Sequence, residues 1–189
     1  MRVVAGNLRG RRLAPPPPGV RPTSDRVRES IFARLGDLDG AGVLDLFAGT
    51  GALGIEALSR GAECLVAVDC SYPSVAVIER NLDDLGVVSQ AKVMRAEAQT
   101  AIRRLGVEGQ AFDLVFLDPP YADLTEAPTV LEALVTCDIL SPEAVVVVEG
   151  PKRHSLPVIA GLALDKMRCY GDTVVYWFRV DPVSSSQVE

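Results

Sequence analysis

Histidine occurs once, at position 154, and the four cysteines at 64, 70, 137 and 169 show no C-x-x-C spacing. A zinc centre needs thiolates and imidazoles clustered at short spacings, so no metal site is expected. The cysteines read instead as reduced, mostly buried thiols. His154, in Pro151-Lys152-Arg153-His154-Ser155, reads as a loop residue rather than a catalytic base. No apolar run approaches the ~18 residues of a membrane span. The start Met1-Arg2-Val3-Val4-Ala5-Gly6 is too short an apolar stretch for a secretory segment, so a cytoplasmic protein with no membrane partner is expected. No internal repeat is visible. The 189 residues fit one domain of ordinary size, with ample apolar material for a core.

A net charge of −6 argues at first against a nucleic-acid partner, but it conceals a division along the chain. Residues 1–35 hold eight arginines against Asp25 and Glu29, a local charge of +6, which leaves −12 on the rest. That asymmetry describes a basic arm on an acidic globule, suited to phosphates. Short apolar and basic pieces around Gly6-Asn7 and Gly10 predict a small hairpin with arginines on one face. Pro15 to Pro18 impose an extended spacer. Pro22-Thr23-Ser24-Asp25 then reads as a helix start capped by Thr23 or Ser24, and Val27, Ile31 and Leu35 share a face that would dock on the main domain.

Beyond the connector 36–42 the chain alternates strand-like and helix-like segments. Strands are predicted near 43–47, 64–69, 91–95, 112–118 and 144–149, and helices near 52–60, 73–85, 97–105 and 126–137. Such alternation is the mark of βαβ units and of an α/β fold with a mainly parallel sheet covered on both faces. Residues 162–169 and 174–178, separated by Gly171-Asp172, predict a terminal antiparallel strand pair. The organisation is therefore an arm over 1–35, a main domain over 36–182 and a flexible tail over 183–189.

Two stretches carry chemistry. Val43-Leu44-Asp45-Leu46-Phe47-Ala48-Gly49-Thr50-Gly51-Ala52-Leu53-Gly54 is a strand that breaks into glycines at 49, 51 and 54 and resumes as a helix. Glycine at these positions permits a sharp bend, close approach of backbone to ligand and tight packing of helix on strand. A ligand is expected over Phe47, Ala48, Gly49, Thr50 and Gly51. Asp69, which ends the next apolar run ahead of Cys70, is placed to accept from ribose hydroxyls. A dinucleotide such as NAD and S-adenosylmethionine both satisfy these features. Asp45 favours the second, because a carboxylate beside the turn repels a pyrophosphate and attracts an ammonium and a sulfonium. Asp45 acting only as a cap on the turn backbone is the plainer alternative.

The second stretch is Asp118-Pro119-Pro120-Tyr121, at the end of the apolar strand Phe112-Asp113-Leu114-Val115-Phe116-Leu117. The carboxyl ends of central strands line the ligand crevice of an open α/β sheet, so this segment should face the glycine turn. Two prolines remove two N–H donors and leave a surface of acceptors. That surface fits an exocyclic amino group, with Asp118 and the Pro119 carbonyl as acceptors and Tyr121 as a stacking face. A rigid Asp-Pro turn with Tyr121 as packing is the structural alternative.

Together these motifs resemble those of Rossmann-like methyltransferases that modify amino nitrogens, with their D-x-x-x-G-x-G turn and [DNS]-P-P-[YFW] segment. Arg2-Val3-Val4-Ala5-Gly6, Gly10-Arg11, Arg21-Pro22-Thr23, Asp25-Arg26-Val27-Arg28-Glu29, the Asp45 to Gly51 turn and Asp118 to Tyr121 resemble, more narrowly, the RsmD family of bacterial 16S rRNA guanine-N2 methyltransferases. The likeness spans nearly the whole chain. It implies a seven-stranded sheet, S-adenosylmethionine as cofactor, and methylation of the guanine at position 966 of 16S rRNA within an assembled or assembling 30S particle. It further implies a monomer whose helix from Thr23, with Arg26, helps close the donor pocket, while Asp69 holds the ribose. Relatives carry Asp after the third strand to meet the adenine amino group. Here Ala96-Glu97-Ala98 stands there, so the Glu97 side chain or the Ala96 backbone is expected to substitute. Arg2, Arg9, Arg11, Arg12 and Arg21 would hold phosphates without reading sequence. The same acceptor motif also serves adenine N6 in DNA or another RNA. An NAD-dependent oxidoreductase and a non-catalytic RNA-binding assembly factor are the remaining readings.

Overall fold

Seven strands form one sheet in the spatial order β3-β2-β1-β4-β5-β7-β6. They are β1 (Gly42–Leu46), β2 (Cys64–Asp69), β3 (Ala91–Arg95), β4 (Phe112–Leu117), β5 (Leu140–Pro151), β6 (Leu162–Tyr170) and β7 (Thr173–Val180). This computed structural model describes residues 1–18, 23–119, 124–153 and 155–181. The first five strands are parallel, and β7 runs antiparallel to both β5 and β6. The α/β architecture is therefore the one the alternation implied. β5 extends beyond the expected 144–149 at both ends, and β7 pairs with it as far as Pro151.

Among the described residues, five helices cover the sheet: α1 (Asp25–Leu35), α2 (Ala52–Ser59), α3 (Tyr72–Leu85), α4 (Ala98–Val107) and α5 (Ala127–Thr136). Side chains alternate across each strand, and the two core clusters show which residues face which layer. Val43, Leu65, Ala67, Leu114, Phe116 and Val147 pack with α1, α2 and α3. Leu44, Leu46, Val66, Val68, Val115, Leu117 and Val146 pack with α4 and α5.

The N-terminal arm is stitched onto α2. Glu56, almost fully buried, accepts from Val4 N at 2.7 Å through one oxygen and from Ala5 N at 2.9 Å through the other. Ser59 accepts from Leu8 N at 2.9 Å and donates to the Ala5 carbonyl. Val3 and Leu13 join the core beside Val27, Ile31 and Phe32. The hairpin is short: a single antiparallel bridge pairs Arg2 with Arg12 and so puts both on one side. A Cβ on Gly6 would sit 1.7 Å from the Ser59 carbonyl oxygen, and the residue has φ +79°. Gly6→Ala should therefore lift the arm and lower Tm by roughly 3 to 10 °C, given overpacking costs of about 1–3 kcal/mol. An unchanged melting curve would mean that the arm is not seated on α2.

One expectation needs correction, and one buried cation is new. The thiols are free but not mostly buried: Cys64, Cys70 and Cys169 are exposed and Cys137 is half-buried. Cys64 opens β2, Cys70 follows its last residue and Cys169 lies on the outermost strand, positions where no second layer covers a small apolar group. Arg28, assigned no buried role from the sequence, is fully buried. Its Nη2 donates to the Arg2 carbonyl at 2.6 Å and to Asp25 at 2.7 Å, tying the arm to the first turn of α1. Burial pushes its pKa down, and Asp25, Glu56 and Glu29 oppose that.

Candidate active site

Four neighbouring strands bring a carboxylate to the carboxyl edge of the sheet. Asp69 continues the Leu65–Ala67 face of β2, Asp45 follows Val43 on β1, Asp118 follows Phe116 at the end of β4, and Glu149 follows Val147 on β5. All four thus lie on the face covered by α1 to α3, in the spatial order Asp69, Asp45, Asp118, Glu149. They line a cavity of about 810 Å³. Among the described residues no cluster is close enough to hold a metal ion.

The glycine turn forms the floor. Phe47, Gly49 and Gly51 all take positive φ (60°, 58° and 74°), and Gly51 N closes the bend by donating to the Ala48 carbonyl at 2.7 Å. Phe47 carries a side chain in a region that costs a non-glycine residue about 1–3 kcal/mol, a strain typical of ligand clamps. Gly49 N donates to Asp69 Oδ2 at 2.9 Å, and Asp69 Oδ1 accepts from Ser71 N at 2.8 Å. Asp45 Oδ2 accepts from Gly54 N at 2.9 Å, in the first turn of α2. A Cβ at 54 would meet Leu65 Cδ1 at 2.5 Å, so the third glycine is the one that lets α2 lie against β2.

Asp45 therefore both caps the turn and lines the cavity. Burial raises its pKa to about 7; the Gly54 N–H pulls it down, while Asp118 and Asp69 push it further up. Burial likewise raises Asp118 to about 6, against the hydrogen bond that Thr23 Oγ1 donates to its Oδ2 at 2.8 Å. Ser24, not Thr23, caps α1, accepting from Val27 N. That division of labour frees the Thr23 hydroxyl for Asp118. Cys70 is shifted upward by burial, Glu97 and Asp69.

Of the residues expected to bind cofactor, Thr23, Arg26, Asp45, Phe47, Ala48, Gly49, Thr50, Asp69 and Cys70 line the cavity, as do Asp118 and Pro119. Gly51 lies under the turn as the N-cap of α2, and Glu97 is an exposed N-cap of α4; neither they nor Ala96 line it. Arg2, Arg9, Arg11 and Arg12 are exposed on the arm, Arg11 reaching the Asp84 carbonyl. Arg21, Pro120, Tyr121 and His154 lie outside the described residues. Sequence reasoning missed Ser71 and Ser74, the N-cap and a first-turn residue of α3, and Glu149, Arg168, Tyr170 and Thr173 from the last three strands.

The family described as Conserved hypothetical protein 95 matches residues 1–179. The chain belongs to that family, the RsmD family. Among its relatives, YlbH of Bacillus subtilis, provisionally named an rRNA methyltransferase, is 38% identical over 182 residues, spanning 93% of this chain and 96% of that protein. Ribosomal RNA small subunit methyltransferase D of Escherichia coli is 36% identical over 163 residues, 84% of this chain and 79% of that protein. A solved structure of a Thermus thermophilus protein described as hypothetical superposes with TM-score 0.80 at 29% identity, covering 94% of this chain and 98% of that one. The family match and this superposition both run from the arm to the terminal strand pair.

The cavity suits the methyl donor such enzymes use. The carboxyl groups of Asp45 and Asp69, the backbone of the glycine turn and the apolar side chains of Phe47, Ala52 and Leu53 all line it. The volume lies in the upper part of the ~300–1,000 Å³ usual for small-ligand sites, which leaves room for a second, planar group.

Proposed function

We propose that this RsmD-family enzyme methylates the exocyclic N2 of a guanine in 16S rRNA, the guanine at position 966 by family resemblance, on an assembled or assembling 30S particle. It is an rRNA methyltransferase whose methyl donor is S-adenosylmethionine. The observation that carries the reading is the adjacency of two unlike halves in one cavity: Asp69, Asp45 and the glycine turn on one side, Asp118 and Pro119 on the other.

When bound, the donor supplies a methyl carbon on a positively charged sulfur, so that the C–S bond breaks as the N–C bond forms and its electron pair stays on the sulfur. Everything else is positioning, an effect that can supply roughly 7–11 kcal/mol. Asp45 and Asp69 hold the donor's cationic and hydroxyl groups against the turn. Asp118, with one oxygen engaged by Thr23, keeps Oδ1 for the attacking amine. An N–H···Oδ1 bond fixes the nitrogen and directs its lone pair out of the ring plane. The methylated nitrogen is strongly acidic, so its proton can pass to Asp118 Oδ1 without a stronger base. The arm arginines are placed to contact phosphates flanking the target.

Because the Thr23 hydrogen bond lowers the Asp118 pKa, Thr23→Val should move it up from about 6. The acid limb of the kcat profile should then shift to higher pH, with kcat at pH 7 down roughly tenfold. Thr23→Ser should restore both. An acid limb unmoved by the valine would exclude Asp118 as the titrating group.

The function itself is tested by incubating the protein with labelled donor and 30S particles lacking the modification, then digesting the RNA and identifying the nucleoside. N2-methylguanosine is expected. N6-methyladenosine, or no incorporation, would overturn the assignment.

A further inference from the structure

The row of carboxylates extends one strand further than methyl transfer to an amine requires. Asp45 and Asp69 belong to the donor half, and Asp118 alone can hold the amine. Glu149 is buried to 6% exposure, lines the same cavity, and sits on the strand next to Asp118. The pairing of Leu117 with Val148 fixes the relation: the next residue of each strand is Asp118 and Glu149, side by side on one face. Adjacent strands lie ~4.8 Å apart, so two acceptors are set beside one another across the acceptor half of the cavity.

We propose that Glu149 is the residue that selects guanine, by accepting a hydrogen bond from its ring N1–H while Asp118 holds the neighbouring amino group. This rests on the guanine-N2 reading above. Guanine is the base whose amino group adjoins a protonated ring nitrogen, so that its edge presents donors at both positions. In adenine and cytosine the ring nitrogen beside the amino group is an unprotonated acceptor, and a carboxylate there meets a lone pair. A site built around a buried acceptor rejects an analogue lacking the matching N–H far more strongly than an apolar pocket rejects a missing methylene. The same two carboxylates explain how an enzyme whose amino-binding motif is shared with adenine-directed relatives can act on guanine.

The test compares target RNA carrying guanine with the same RNA carrying 2,6-diaminopurine, which keeps the 2-amino group but has an unprotonated N1. Wild type should favour guanine at least a hundredfold in kcat/KM. Diaminopurine also exchanges O6 for an amino group, so the decisive quantity is how the preference changes in Glu149→Gln, whose amide can donate to an unprotonated N1. That variant should lose at least tenfold of the guanine preference while binding S-adenosylmethionine as wild type does. A wild type that accepts both bases equally would overturn the proposal without any variant having to fold. So would a Glu149→Gln enzyme with wild-type donor affinity and an unchanged preference. In both cases guanine methylation stands and only the role of Glu149 falls, whereas failure of the wild type on guanine RNA would remove both.

Discussion

Asp118→Ala should lose at least about a thousandfold in kcat, roughly 4 kcal/mol of barrier, while titrating with S-adenosylmethionine within about tenfold of the wild type. The asymmetry follows from position. Asp118 directly follows β4, on the acceptor side of Asp45, and the side-chain hydrogen bond given to it comes from Thr23 rather than from the glycine turn. Removing it leaves the Asp45–Gly54 and Asp69–Gly49 bonds that shape the donor half. Asp118→Asn keeps an amide oxygen as acceptor, asparagine being a residue that the [DNS]-P-P-[YFW] pattern admits, and should retain more turnover than Asp118→Ala. Stability should move against turnover. A carboxyl group whose pKa is raised by folding stabilises the protein fully below its unfolded value near 4 and loses that contribution as pH rises through about 6. At pH 8 the asparagine variant should therefore melt above wild type. Loss of donor binding together with turnover would show instead that Asp118 supports the fold.

The elements were readable where glycine and chain periodicity act locally. Gly49, Gly51 and Gly54 announce a bend that the structure makes with positive φ and a helix packed within van der Waals reach of Leu65. Asp69 is legible because it ends an apolar run 20 residues beyond Gly49, and Asp45 because it lies within the strand beside the glycine turn. What escaped is what depends on the relation between distant strands. Glu149 interrupts no motif, and its nearness to Asp118 exists only once β4 and β5 are in register. Arg28 looks like one more arm cation, yet its helix turns it inward to reach the Arg2 carbonyl from 26 residues away. Thr23 and Ser24 are equally eligible as the helix cap from the sequence, because a local partner is the only kind sequence can offer; the partner of the Thr23 hydroxyl lies 95 residues on. Exposure of Cys64, Cys70 and Cys169 is likewise a matter of where strands begin, end and lack a neighbour.

Donor affinity should rise with pH through about 7 and level off above it, since Asp45 must be ionised to attract a cation and burial holds its pKa near that value. Below the midpoint the fall should approach tenfold per pH unit. Binding works against the same burial: a cation beside Asp45 draws its pKa down, so uptake of the donor at pH 6 should release close to one proton. Without the donor, the shift from 3.8 to about 7 works against folding by at most about 4 kcal/mol once pH exceeds the raised value, a loss absent in acid. Asp45→Asn keeps an oxygen for the Gly54 N–H and removes the charge. It should weaken the donor roughly 10- to 100-fold at pH 8, flatten the pH dependence of affinity and abolish proton release, yet raise the melting temperature of the empty protein at that pH. Calorimetric titration in two buffers of different ionisation enthalpy reads affinity and proton release together. If the variant binds the donor as wild type does with an unaltered pH profile, Asp45 serves only as the acceptor for the Gly54 N–H, and the donor's positive charge is met elsewhere in the cavity.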